Sequence, residues 1–214
     1  MALKRSARGA VAPFIVMDVL REANRREAEG GDVLHLEVGQ PSTGAPSKVI
    51  EAARRILTED RLGYTEALGI DPLRARIAAY YRDMHGLDVD PDRIVVTTGS
   101  SGGFMLAFLS AFDAGDRIAL AEPGYPAYRN ILQALDLEAV GVPATAAERY
   151  QPVPAALERL DGPIDGLIVA SPANPTGTML SAEEMRELAA YCADRGIRLI
   201  SDEIYHGITY SMPG

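Results

Sequence analysis

Residues 165–207 read DGLIVASPANPTGTMLSAEEMRELAAYCADRGIRLISDEIYHG, and this stretch decides the fold. An apolar run at its start (165–172) predicts a buried strand, and a second run near its end (197–207) predicts another. Between them, Ser181 and Glu184 have the spacing of a helix capping box, and a glycine follows where the helix should end. Strand, helix and strand in this order predict two parallel strands joined by a crossover helix.

The same alternation extends upstream through the second half of the chain. The predicted strands are 93–99, 116–124, 137–143, 165–172 and 197–207, and the predicted helices are 100–112, 125–136, 152–160 and 181–195. The strands are nearly continuous apolar runs, as expected where helices cover both faces of a sheet. We therefore predict an α/β fold with a mostly parallel sheet and helices on both faces. Ligands of such sheets bind at the carboxyl ends of the strands.

Composition and charge are those of an ordinary globular protein. The chain has 214 residues, 47% of them hydrophobic and 24% charged, and its formal net charge is −9. No basic stripe is present to contact a phosphate backbone, which argues against a nucleic-acid partner. The single cysteine, Cys192, cannot form an internal disulfide, and this favours a reducing cytoplasm.

The N-terminal segment starts basic and then becomes apolar, as a signal peptide does. However, Asp18 interrupts the apolar run, and Ile15, Val19 and Ala23 keep helical spacing. An amphipathic helix is therefore predicted here rather than an export signal. No stretch reaches the roughly 18 apolar residues of a membrane span, so no membrane partner is expected.

Residues after the first two predicted strands suit an anionic ligand and a flat one. Ser100 and Ser101 lie among glycines where a helix begins, so N–H groups and hydroxyls could hold a phosphate there. The alternative is a tight turn with serine caps. Tyr125 follows the second strand, where its ring could stack on a flat ligand, and core packing is the alternative.

The last two predicted strands also end in polar groups. Asn174 stands in an Asn-Pro-x-Gly segment, where its amide could face a ligand or the segment could simply form a turn. Asp202 directly follows an apolar strand, so a buried carboxylate there should have a partner, and a solvated strand end is the alternative. Asp202 and His206 have i, i+4 spacing, but further ligands for a metal are not found, and no metal site is predicted.

Taken in order, these motifs resemble the class I/II aminotransferases, which are fold type I pyridoxal-phosphate (PLP) enzymes. The segments that carry the resemblance are LHLEVGQPS (34–42), GYTEALGIDPLRARIAAYY (63–81), TTGSSGG (97–103), EPGYPAY (122–128), ASPANPTG (170–177) and SDEIYHG (201–207). They follow the family's order and cover almost the whole chain. The resemblance implies the large, PLP-binding domain of fold type I PLP-dependent transferases.

For the phosphate and the ring of the cofactor, the resemblance implies three binding residues. Ser100 and Ser101 would hold the phosphate at the helix N-terminus, and Tyr125 would stack on the pyridine ring. Ser101 departs from the family pattern, which has Gln or Thr at this position. A serine hydroxyl can still donate to phosphate, so the departure concerns only that residue's individual role.

For the chemistry, the resemblance implies three further cofactor contacts. Asn174 and Tyr205 would hydrogen-bond the phenolic oxygen of PLP, and Asn174 would also lie at the substrate. Asp202 would face the pyridine nitrogen, where a carboxylate favours the protonated ring. A protonated ring is the better electron sink, so Asp202 is a predicted catalytic residue. The resemblance assigns Tyr205 as the second one.

The N-terminal part of the chain is assigned by resemblance alone. Tyr64 would reach a PLP phosphate in the neighbouring subunit, Gly39 would lie near the substrate carboxylate, and the first helix would pack on the partner. These roles imply a homodimer with shared active sites. The expected domains are an N-terminal helix and arm (1–45) and a large PLP-binding domain (46–214).

The lysine with which the family forms a Schiff base to PLP is not found in the family's position. The two lysines of the chain, Lys4 and Lys48, precede every cofactor motif. The family's Schiff-base lysine lies well downstream of the Asp-x-x-Tyr segment, whereas this chain ends nine residues after Tyr205. We therefore expect an incomplete large domain without the C-terminal small domain, and favour a fragment of a longer protein over a natural truncation.

The expected function is that of a PLP-dependent aminotransferase, which moves an amino group between an amino acid and a 2-oxo acid. The 214 residues on their own are expected to be inactive. Two alternatives stay open. Another fold type I PLP enzyme, such as a β-lyase or a synthase, could use the same cradle. A non-catalytic remnant could bind PLP or phosphate without reaction.

Overall fold

The computed structural model describes residues 3–41 and 43–210, and the chain divides into two compact units. One unit is Ile15–Thr98, and the other combines Met1–Phe14 with Gly99–Gly214. The remaining positions, which fall in the predicted arm and at the two ends of the chain, lie outside the described residues.

The unit Ile15–Thr98 is helical. Its helices are α1 (Ile15–Ala28), α2 (Ser47–Glu59) and α3 (Asp71–His85). Helix α1 confirms the helix predicted near the N-terminus. Throughout the described part of the chain, no helix combines the length and the apolar content that crossing a membrane requires.

Arg74 fixes α3 to the loop that follows it. Its side chain is 8% exposed. The guanidinium donates to the carbonyl oxygens of Ile94 (3.1 Å) and Pro91 (2.8 Å) and to the carboxylate of Asp92 (2.8 Å). Because a buried guanidinium is costly without such partners, this arrangement holds the loop in one place.

The predicted strand 93–99 is wrong. The chain forms a 3-10 turn at Pro91–Arg93, then irregular backbone, and helix α4 (Gly99–Ala111) follows. A strand requires a neighbouring strand to complete its ladder. The Val96 N–H donates instead to the carbonyl of Leu68 in a loop (2.9 Å). The β-branched run gave a false signal because local propensity cannot supply a neighbour.

Four parallel strands form one sheet in the second unit. In chain order the elements are β1 (Arg117–Glu122), α5 (Pro126–Ala134), β2 (Glu138–Pro143), α6 (Pro154–Leu157), β3 (Gly166–Ala170), α7 (Ala182–Arg195) and β4 (Arg198–Asp202). The order across the sheet is β2-β1-β3-β4, and each neighbouring pair is parallel. The predicted α/β fold with a parallel sheet is therefore confirmed.

The central strands β1 and β3 are covered on both faces. Successive strand residues point to opposite faces of a sheet. Ile118 and Ile168 belong to a buried cluster with residues of α4 and α5, whereas Ala119 and Leu167 belong to a second cluster with residues of α6 and α7. Burying each of the larger side chains contributes about 2 kcal/mol. The prediction of helices on both faces is confirmed.

Helix α7 begins and ends where the sequence predicts. The Glu184 N–H donates to the Ser181 hydroxyl (3.2 Å), and the Ser181 N–H donates to the Glu184 carboxylate (2.7 Å). Gly196 ends the helix in the left-handed region, with φ of 69°. The helix joins β3 to β4, whose register pairs Ala170 with Asp202.

Candidate functional site

The carboxyl ends of β1, β3 and β4 lie at one edge of the sheet, and predicted site residues stand at or beyond them. Tyr125 follows β1, Asn174 follows β3, and Asp202 is the last residue of β4. The Ser171 N–H donates to the carbonyl of Asp202 (3.4 Å), which keeps the ends of β3 and β4 together. Because the strands are parallel, the fold brings these residues to a common edge.

Tyr128 is the hydrogen-bond partner of the Asp202 carboxylate. The Tyr128 hydroxyl donates to Oδ2, and the Ile204 N–H donates to Oδ1 (3.1 Å). Tyr128 is 4% exposed. Burial, together with the hydrogen bond to Asp202, raises the pKa of the Tyr128 hydroxyl well above its ordinary value. The phenol therefore stays protonated and remains a donor to the carboxylate near neutral pH.

A partner for Asp202 is expected from the sequence, but the sequence pattern does not identify it as Tyr128. A weak signal was present, since a tyrosine three residues after Tyr125 lies one helical turn away from it. However, Tyr128 precedes Asp202 by 74 residues. The pairing becomes visible only when the order of the strands is known.

Tyr125 immediately precedes α5 and packs against two other rings. Its centroid lies 5.3 Å from that of Tyr128, with the planes at 83°, and 5.9 Å from that of Phe14, with the planes at 85°. Such edge-to-face contacts fix the plane of the ring. The core-packing interpretation therefore applies in part, and the partial exposure of Tyr125 is compatible with a stacking role.

Asn174 and Tyr205 lie together at a cavity. The amide nitrogen of Asn174 is 3.5 Å from the Tyr205 hydroxyl, at the outer limit of a hydrogen bond. Both residues line a cavity of about 340 Å³, together with Pro172, Ile208 and Tyr210. Because the amide and the hydroxyl can each donate, one oxygen of a ligand could accept from both.

Ser100 and Ser101 lie in the first turn of α4, which begins at Gly99. The first turn of a helix offers N–H groups and partial positive charge to an anion. Gly99 has φ of 77°, a left-handed conformation that favours glycine. The ring of Phe104, one turn further along, has its centroid 5.1 Å from that of Tyr128, so α4 packs beside α5.

Tyr64 and Gly39 belong to the unit Ile15–Thr98, in the segments between its helices. The ring of Tyr64 is fully exposed, and the space around the Cα of Gly39 is open. The roles that the resemblance implies for these residues involve a neighbouring subunit and a substrate, and they stay predictions.

Within residues 3–41 and 43–210, no three His, Cys, Asp or Glu side chains come together to hold a metal ion. The i, i+4 spacing of Asp202 and His206 is not helical, because β4 ends at Asp202 and a turn follows. His206 lies instead 3.5 Å from the carboxylate of Glu203.

Comparison with known sequences gives a consistent set of relatives. The profile of the family described as aminotransferase class I and II matches residues 31–213. The valine–pyruvate aminotransferase of Mycobacterium tuberculosis is 53% identical over 203 residues, covering 95% of this chain and 52% of that protein. The (5-formylfuran-3-yl)methyl phosphate transaminase of Methanocaldococcus jannaschii is 34% identical over 197 residues, covering 92% of this chain and 50% of that protein.

Solved structures of aminotransferases point to the same family. An aminotransferase from Mycobacterium tuberculosis superposes with a TM-score of 0.93 at 52% identity, covering 98% of this chain and 54% of the other. The aspartate aminotransferase from Thermus thermophilus with maleate also gives 0.93, at 30% identity, covering 99% of this chain and 56% of the other. The chain thus spans about half the length of the relatives it matches. This coverage is consistent with the expected N-terminal portion of such a protein.

Proposed function

The chain belongs to the aminotransferase class I and II family, and from this premise we propose that it supplies the cofactor cradle of a PLP-dependent aminotransferase. That enzyme moves an amino group between an amino acid and a 2-oxo acid. The observation that carries the proposal is the Asp202 carboxylate, which Tyr128 holds at the sheet edge. Asn174 and Tyr205 lie beyond the same edge.

The groups at this edge, together with the start of α4, fit the chemical parts of PLP. A helix N-terminus with two serines suits a phosphate, and the ring of Tyr125 suits a flat heterocycle. Two neutral donors, Asn174 and Tyr205, suit a phenolic oxygen, and a carboxylate suits a ring nitrogen. When bound, PLP supplies an electron sink for bond breaking at the substrate α-carbon.

Asp202 keeps a proton on the pyridine nitrogen in this proposal. A carboxylate favours the cationic form of a neighbouring base by opposite-charge stabilisation. The Tyr128 hydroxyl holds one carboxylate oxygen and the Ile204 N–H holds the other. The carboxylate is therefore oriented by the protein before a ligand arrives, and such preorganisation is a main source of electrostatic catalysis.

Asn174 and Tyr205 orient the opposite side of the ring by donating to its phenolic oxygen. Asn174 also lies near the substrate in this arrangement. Ser100 and Ser101 hold the phosphate, and together these contacts keep the ring from rotating at the sheet edge. Their role is to bind and orient, and that of Asp202 is to hold a proton at a defined atom.

The remaining roles extend the proposal to the whole protein. Tyr64 reaches the phosphate of the neighbouring subunit and Gly39 lies at the substrate carboxylate, in a cytoplasmic homodimer. The arm and first helix (1–45) and the large domain (46–214) are the proposed division of this chain. Its lysines precede the Asp202 segment, so no covalent role is assigned to them, and the 214 residues alone are proposed to be inactive.

Valine and pyruvate are the substrates to test first. The relative that is 53% identical is named for this pair. The test uses the full-length protein with PLP and follows the visible absorbance of the bound cofactor. We expect a band that changes on addition of valine, and formation of alanine from pyruvate.

The outcomes separate the proposal from its two alternatives. Folded full-length protein that gives no cofactor band contradicts the proposal. A β-lyase releases ammonia from an amino acid without needing a 2-oxo acid. A non-catalytic remnant binds PLP but turns over no member of an amino-acid panel.

A further inference from the structure

Gln151 is a buried polar side chain that none of the roles above uses. It is 1% exposed and follows a 3-10 turn at Ala146–Glu148. Its amide nitrogen lies within hydrogen-bond distance of the Ala170 carbonyl (3.3 Å), the Thr178 carbonyl (3.0 Å) and the Thr178 hydroxyl (3.2 Å). Because burying an amide is unfavourable without partners, these acceptors define where the group lies.

The acceptors stand at the two ends of one loop. Ala170 is the last residue of β3, and Thr178 lies eight residues later, before α7 begins. Asn174 is at the midpoint between them. A single buried amide, that of Gln151, therefore joins both ends of the loop that carries Asn174.

Hydrogen bonds within the loop make it one rigid unit. The Ala173 N–H donates to the Thr178 carbonyl (2.9 Å), and the Gly177 N–H donates to the Ala173 carbonyl (2.8 Å). The hydroxyls of Thr176 and Thr178 lie 2.9 Å apart. A loop braced in this way moves as a whole, so its orientation is set at its ends.

The backbone that precedes Gln151 is itself held in place. The Thr145 N–H donates to the Glu148 carboxylate (2.8 Å). Arg149 donates to both carboxylate oxygens of Glu184, at 2.5 Å each, and Glu184 is the third residue of α7, whose carboxylate completes the capping box with Ser181. Gln151 is therefore anchored through its own segment to the helix that follows the loop.

We propose that Gln151 is a positioning residue that sets the location of Asn174 against the phenolic oxygen of the cofactor. The proposal rests on the proposed function, because it assumes that Asn174 donates to PLP. The amide nitrogen of Asn174 and the hydroxyl oxygen of Tyr205 are 3.5 Å apart. A small shift of the loop therefore changes whether one ligand oxygen can accept from both. Gln151 acts only through Asn174 and does not touch the cofactor.

The test is a double-mutant cycle in the full-length protein, read out as PLP affinity by equilibrium titration. Gln151→Met keeps the length and volume of the side chain but removes its N–H donors. We expect PLP binding to weaken about tenfold, as for the loss of one well-made hydrogen bond. In an Asn174→Ala background the same substitution should have no further effect, because its action passes through Asn174.

A second readout reports the loop directly. Amide hydrogen exchange at Ala173 and Gly177 should be faster in Gln151→Met than in the wild type, with or without PLP. Leu188→Val, at a buried core position of α7, is the matched control for a general loss of stability. It should lower the melting temperature without changing PLP affinity or exchange at these two amides.

Thr178→Val is the milder variant if Gln151→Met does not fold. It removes one acceptor of the Gln151 amide, together with the hydroxyl contact to Thr176, and should give a smaller loss of affinity, again absent in the Asn174→Ala background. Additive effects, or unchanged PLP affinity in folded variants, overturn the role of Gln151 and leave the proposed function standing. A folded wild type that does not bind PLP overturns both.

Discussion

Tyr128 and Asp202 are joined by a hydrogen bond at the edge of the sheet, although 74 residues separate them in sequence. Tyr128 lies on α5, which follows β1. Asp202 is the last residue of β4, an outermost strand in the order β2-β1-β3-β4. The orientation of the Asp202 carboxylate therefore depends on the packing of α5 as well as on its own strand.

Tyr128→Phe should lower kcat of the full-length enzyme about tenfold, because it removes one charge-assisted hydrogen bond that orients Asp202. The ring remains, so the change in melting temperature should be small. Steady-state kinetics measure the effect. Tyr191→Phe is the control. Tyr191 lies on α7, where the guanidinium carbon of Arg195 is 3.8 Å from the centroid of its ring. The kcat of this variant should match that of the wild type. A Tyr128→Phe enzyme with wild-type kcat would refute the positioning role.

The free energy of unfolding should fall as the pH rises above 10, the ordinary pKa of tyrosine from which that of Tyr128 is raised. Above this pH the unfolded chain loses the Tyr128 proton while the folded chain keeps it. Unfolding then releases a proton and becomes easier. Urea denaturation at several alkaline pH values measures the slope, which should be shallower in Tyr128→Phe. Equal slopes in the two proteins would contradict this account.

The free energy of unfolding should also fall in acid, between about pH 4.5 and about pH 2. Hydrogen bonds from the Ser181 N–H and from Arg149 lower the pKa of Glu184 to about 2, from 4.5. The stabilisation is present above pH 4.5 and disappears as the folded carboxylate is protonated. Glu184→Gln should flatten this acid slope in urea denaturation. Glu183→Gln, an exposed residue on the same helical turn, should leave the slope unchanged; an equal effect of both would argue against this cause.

Asp202→Ala should reduce kcat of the full-length enzyme by about a hundredfold or more, because a preorganised charge at the reacting group is lost. Binding of PLP should persist, since the phosphate contacts proposed for Ser100 and Ser101 remain. Kinetics and equilibrium titration with PLP separate the two effects. Asp194→Ala, an exposed site on α7, is the control. Turnover retained in Asp202→Ala would remove Asp202 from the catalytic role.

Gly99→Ala should weaken PLP binding, while Gly86→Ala should not. Both glycines have positive φ, 77° and 66°, and a Cβ at either position would meet open space. Each substitution should therefore cost a similar backbone strain of about 1 kcal/mol. Only Gly99 leads into the helix start with Ser100 and Ser101. Equal PLP affinities in the two variants would show that this helix start does not hold the phosphate.

The sequence predicted the sheet well because its signals are local. Ser181 and Glu184 marked the start of α7, and Gly196 marked its end. Apolar runs with helices between them predicted parallel strands. The strand at 93–99 was wrong because the same β-branched signal occurs in a segment whose backbone bonds to a loop instead. A strand is defined by its neighbour, which a local pattern does not contain.

The positions of candidate site residues were predictable where one residue follows a strand, and less so where two distant residues meet. Asn174 and Asp202 could be identified from their positions at strand ends. Tyr128 and Gln151 could not, because their partners lie 74 and 27 residues away. Both resemble ordinary interior residues until the strand order brings their partners near.

The strand order β2-β1-β3-β4 has a consequence for how the cradle is assembled during synthesis. β1, α5 and β2 are contiguous in the chain and can pair as soon as they leave the ribosome. β4 is made last of the four, and contacts that close long spans form late. Tyr128 of α5 is therefore synthesised before Asp202, its hydrogen-bond partner. A nascent chain halted before residue 202 should contain the start of α4 with Ser100 and Ser101 but lack the carboxylate that accepts from Tyr128.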